Sequence, residues 1–140
     1  MSLNDYRRRT SVQDAVLAEV DETANWQVPA RWLPEVERTF GSEASFVQSL
    51  YPRWFAALTA RLDPVLEDRP ADLADAAARA ARQLAREHPA MFALLAAYAD
   101  RPVMEGARQR ERQYLYWAPG AQLTALAARE DELASVACPI

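Results

Sequence analysis

The residues best suited to chemistry are few in this sequence: a single histidine, His88, a single cysteine, Cys138, and six serines. His88 stands in Glu87-His88-Pro89. A residue before proline is pushed out of the helical region, so His88 reads as the end of one helix and Pro89 as the start of the next. Its imidazole then sits at a helix C-terminus, where a cation is favoured. A metal site would need further nitrogen or thiolate ligands, and a carboxylate-bridged di-iron bundle needs Glu-x-x-His twice. Here Ala85 stands three residues before the histidine. Haem can be held by one axial histidine, but the aromatics around Phe46–Phe55 and at Trp117 are wrongly spaced from His88. No metal and no cofactor is therefore expected.

Nucleophilic catalysis is equally unsupported. The serines at 2, 11, 42, 45, 49 and 135 fall at caps or exposed faces, no G-x-S-x-G elbow occurs, and Cys138 lies in a terminal segment. Adjacent carboxylates, Glu67-Asp68 and Glu130-Asp131-Glu132, are most simply solvated helix ends. No catalytic residue is assigned.

Two groups remain as binding candidates. The run Arg108–Trp117 mixes cations with aromatics, and Arg7-Arg8-Arg9 is a second basic cluster. Arg110 falls on the line Val103, Ala107, Tyr114, Trp117, and Glu111 on the line Met104, Ala107, Leu115. A charge within an apolar stripe is exposed, paired internally, or set in the floor of a pocket. One reading therefore places a ligand among Trp54, Tyr98, Arg110, Glu111, Tyr114 and Trp117. Trp26, Trp32, Trp54 and Trp117 are many for a small helical core, and Trp32 and Trp54 both follow arginine. Trp, Tyr and Arg are the types that anchor interfaces, so some of them are candidates for a partner groove.

These groups must be positioned by helices. Only three glycines occur against 29 alanines, and no window alternates with period two. Ser11 with Asp14 resembles a capping box and Val12, Val16 and Val20 follow at helical spacing, which predicts a helix over about 11–24 behind a flexible arm at 1–10. A short helix at 34–40 ends at Gly41. Val47, Tyr51, Trp54, Leu58, Leu62 and Val65 then hold one face across Pro52 and Pro64. An interior proline costs about 3 kcal/mol, which favours breaks at these prolines over one kinked helix at 43–67.

A Pro70-initiated helix follows to residue 87. Its polar face carries Asp72, Asp75, Arg79, Arg82 and Arg86, and its opposite face is almost all alanine. With so little apolar bulk it must lie close against a neighbour, and Leu73, Ala77, Ala80, Ala81 and Leu84 form the candidate self-association face. Helices at about 89–100, 102–117 and 120–136 complete the chain, with a frayed tail at 137–140.

The expectation is an all-α, single-domain, orthogonal or irregular bundle of six to seven helices with proline-initiated starts. With 20 acidic and 16 basic residues, a net charge of −4 and a pI near 5.0, nucleic acid and anionic membranes gain no long-range attraction. One cysteine, no secretion-signal pattern and no apolar run of about 20 residues point to the cytoplasm. The primary functional expectation is a non-enzymatic interaction module, binding a second copy as a homodimer or another protein. A small-molecule-binding or sensing domain is the alternative.

Overall fold

A computed structural model describes residues 2–129. The expected tail at 137–140, the end of the last helix near 136, Glu130–Glu132, Ser135 and Cys138 lie outside the described residues.

The described chain is all-α. Helix α1 spans Leu3–Thr23, α2 Leu33–Phe40, α3 Glu43–Asp68, α4 Leu73–Glu87, α5 Pro89–Tyr98 and α6 Glu105–Tyr114. A further helix, α7, covers 123–129. Single 3-10 turns at Ala30–Trp32, Pro102–Met104 and Pro119–Ala121 lead into α2, α6 and α7. The described residues contain no strand.

The first helix starts eight residues earlier than its expected onset at Ser11, so residues 3–10 are its first turns and not an arm. The sequence holds the Ser-x-x-Asp signal twice, as Ser2–Asp5 and Ser11–Asp14. Ser2 Oγ accepts from the Asp5 N–H (3.1 Å) and Asp5 Oδ2 accepts from the Ser2 N–H (3.3 Å), a complete capping box. The helix is already running at Ser11, which is left exposed, and Asp14 pairs with Arg53 instead (2.8 Å). The apolar line is as expected, with Val12, Val16 and Val20 buried.

Helix α3 runs unbroken through Pro52 and Pro64, where breaks were favoured. Both prolines are exposed, as are Gln48 and Ala60, the residues whose carbonyls lose a helical donor to the missing N–H groups. Val47, Leu50, Tyr51, Trp54, Leu58 and Leu62 are all buried on the other side. At roughly 1.5–3 kcal/mol for each large side chain buried, that stripe outweighs two exposed prolines. The helix is the axis of the fold, with α2, α4, α5 and α6 packed around it.

Helix α4 does not start at Pro70. Asp72 supplies the cap, its Oδ1 accepting from the Asp75 N–H (2.9 Å). Pro89 is a true first-turn residue of α5, and Asp21 on α1 accepts the N–H of Ala90 (3.0 Å), tying the two helices together. The expected helix at 102–117 is divided into the turn at Pro102–Met104 and α6, which ends at Tyr114.

Candidate functional site

Among the described residues, the six of the sequence-derived pocket stand in different surroundings. Trp54 is fully buried, with its ring 5.8 Å from that of Phe92. Tyr98 is buried under the guanidinium of Arg101, 4.2 Å from the ring centroid. Tyr114 is half-buried and meets Phe55 edge-on at 5.3 Å, and Phe55 stacks on Tyr51 at 6.0 Å. Trp117 packs on the edge of the core and Arg110 is exposed.

Glu111 is a buried clamp and not the floor of a pocket. Its side chain is 2 % exposed; Oε2 accepts from the Tyr51 hydroxyl (2.5 Å) and Oε1 accepts from the Leu123 N–H (2.9 Å). Leu123 opens α7, so its N–H is one that no helix carbonyl can satisfy, and the carboxyl caps it from another helix. Burial pushes the Glu111 carboxyl above the usual carboxylate range, opposed by the two hydrogen bonds. Burial, followed by the neighbouring Glu111, pushes the Tyr51 hydroxyl up. The clamp joins α3, α6 and α7, which is a structural duty.

The alanine face of α4 is covered by the chain itself. Ala77, Ala81 and Leu84 are buried against α3 and the turn at Pro119–Ala121, Ala80 packs on the core edge, and Leu73 is partly exposed. A Cβ added to Gly120 would come within 3.3 Å of the Ala78 Cβ, so the turn lies directly on the helix. The small side chains of Ala77 and Ala81 thus serve close packing within one chain.

His88 is exposed and holds the junction between α4 and α5, its N–H bonded to the Leu84 carbonyl (3.0 Å). Among the described residues no group of three or more His, Cys, Asp or Glu side chains could hold a metal ion.

What the chain does present is a groove of about 740 Å³ between α1 and the segment of the 3-10 turn and α2. Val12, Ala15 and Trp32 line it together with Arg7, Arg8 and Arg31 and, among the described residues, one carboxylate, Glu35. Glu35 is engaged by Arg38 (2.6 Å), and Arg31 is held over the Trp32 ring at 5.7 Å by an ion pair with Glu19. That hydrogen bond to Glu19 raises the basicity of Arg31. Arg7 and Arg8 are exposed and form no ion pair among the described residues. The Trp32 indole N–H is buried without an acceptor, a condition that costs about 1–3 kcal/mol. The Trp54 indole N–H is likewise buried without one, on a residue that is itself fully buried in the core.

Arg7–Arg9 and Trp32 are separate candidates in the sequence, because the flexible arm expected at 1–10 gives the arginines no fixed position relative to the tryptophan. The Ser2–Asp5 capping signal is the clue that gives them one.

Compared with models of known protein families, with curated proteins and with solved structures, the chain matches none.

Proposed function

We propose that this domain is a protein-docking module whose α1–α2 groove receives an acidic amphipathic segment of a partner. The observation that carries the reading is the lining of the groove, where the partly exposed Trp32 stands with Val12 and Ala15 beside the exposed Arg7 and Arg8, which form no ion pair among the described residues of a chain of net charge −4. Apolar side chains of the partner would cover Val12, Ala15 and the indole face, while its carboxylates would meet the two arginines. Trp and Arg are the side chains that most often dominate binding energy, and arginine pairs with carboxylates in a planar, two-pronged fashion. The reading places the domain in the cytoplasm, since one cysteine gives no intrachain disulfide framework.

Synthetic acidic amphipathic peptides, with scrambled and basic controls, titrated against the chain test this. Acidic amphipathic peptides should bind, more weakly as salt rises. The exchange of Arg7→Glu together with Arg8→Glu should abolish binding without changing the circular-dichroism spectrum. Equal binding of scrambled or basic peptides would refute the reading.

A further inference from the structure

In the α1–α2 groove, Arg31 is engaged by Glu19 and Glu35 by Arg38, which leaves Arg7 and Arg8 as the charges without an ion pair among the described residues. A segment of the same chain has the complementary composition. Residues 130–140 read EDELASVACPI, with three carboxylates and no arginine, lysine or histidine, and Leu133, Val136, Ala137 and Ile140 recur at the three- and four-residue spacing of an amphipathic segment. The order matches as well. Along α1 the two arginines precede Val12 and Ala15, and along 130–140 the carboxylates precede the apolar residues. Laid side by side in the same direction, the two pair charge with charge and apolar with apolar.

The segment is long enough to arrive there. Leu123 opens α7 against Glu111, the other oxygen of Glu111 takes the Tyr51 hydroxyl, and Tyr51 lines a groove of about 420 Å³ together with Arg9 of α1. Helix α7 therefore begins only two side chains and one groove away from the second turn of α1. Its residues 123–129 add about 10 Å, whereas eleven residues span up to about 36–40 Å. A segment tethered so closely acts at an effective concentration on the order of millimolar, so a contact too weak to join separate molecules is still populated within one.

We infer that residues 130–140 occupy the α1–α2 groove of their own chain and that a partner binds by displacing them. Glu130, Asp131 and Glu132 meet Arg7 and Arg8, in the charge-assisted pairing that guanidinium groups make with carboxylates, while Leu133 and Val136 cover Val12, Ala15 and Trp32. This rests on the docking reading of the groove, since the segment has the chemistry which that reading gives to the partner.

Cys138 is the single cysteine, so a nitroxide attached to its thiol reports where the segment lies in the full chain without any substitution. Paramagnetic broadening should be strongest at the amides of Arg7, Arg8, Val12 and Ala15 and at the Trp32 indole, should fade as salt rises, and should be lost when Arg7→Glu and Arg8→Glu are combined. A second measurement leaves the groove intact and neutralises the segment by Glu130→Gln, Asp131→Asn and Glu132→Gln. A synthetic acidic amphipathic peptide should then bind at least about threefold more tightly, because its tethered competitor is gone. Broadening strongest elsewhere would overturn the inference, as would equal broadening in unlabelled, isotope-enriched chains mixed with labelled ones, which puts the segment on a second copy. If the peptide binds the neutralised and the original chain with the same affinity, the docking groove stands and its internal occupant falls. If the peptide binds neither chain, the docking reading falls and this inference with it.

Discussion

The hydroxyl of Tyr51 donates to Glu111 Oε2 across 2.5 Å, joining residues 60 positions apart, while the other carboxylate oxygen takes the first N–H of α7. One buried side chain thus fixes α6 to the central helix and sets where the last described helix begins.

Removing either partner should therefore cost more than an ordinary surface substitution. Tyr51→Phe leaves Glu111 short of a donor and should destabilise the fold by about 1–3 kcal/mol, read from urea unfolding. Glu111→Ala should cost at least as much, because it strands both the hydroxyl and the Leu123 N–H. Combined in one chain, the two losses should fall short of their sum, as expected of groups in direct contact. Simple additivity would mean that the pair is not coupled.

The same carboxyl dictates a pH dependence. Its folded pKa is raised above the ordinary 4.5 chiefly by burial, so the folded state holds the proton more tightly than the unfolded chain does. The stability it contributes is fully present below 4.5 and is lost as pH rises through the folded value. Glu87 works in the opposite sense: the Arg61 hydrogen bond lowers its pKa, so its contribution is present above 4.5 and lost as pH falls. Glu111→Gln should flatten the decline in melting temperature with rising pH above 4.5. An unchanged slope would assign that decline to other groups.

Pro64 is exposed inside α3 and denies the Ala60 carbonyl its helical donor. Restoring that donor with Pro64→Ala should stabilise the protein by about 1–3 kcal/mol, the larger figure being the full interior-proline penalty. Thermal unfolding followed by circular dichroism reads the shift, and a lower melting temperature would show that the proline is needed where it stands.

Close packing of α4 gives another test. Ala81→Leu forces extra methylenes into a face already covered by α3 and the Pro119–Ala121 turn, at a cost of about 1–3 kcal/mol. Light scattering should find the same mass for wild type and variant. A dimer that dissociates on this substitution would mean that the face serves association after all.

How much of this could be read in advance depended on whether the signal was local. The stripe from Val47 to Leu62 was legible because each apolar residue follows the last by three or four positions, and Gly41 and Pro89 mark helix boundaries by their own backbone preferences. The continuity of α3 was not legible. The proline penalty is local and visible, whereas the burial that offsets it is collective and appears only when neighbours are in place. Glu111 announced itself as a charge within an apolar line, but its partners stand 60 and 12 residues away. The docking groove was hidden by one ambiguous cap: two identical Ser-x-x-Asp signals lie nine residues apart, and choosing the second turned two helical turns into an arm and carried Arg7 and Arg8 away from Trp32.

The most direct measurement is the resonance of the Trp32 indole N–H during titration with an acidic amphipathic peptide. The docking account predicts a progressive, saturating shift at Trp32 as the peptide covers the groove that its ring lines, with the indole of the fully buried Trp54 unchanged. A peptide that binds while the Trp32 signal stays in place would contradict it.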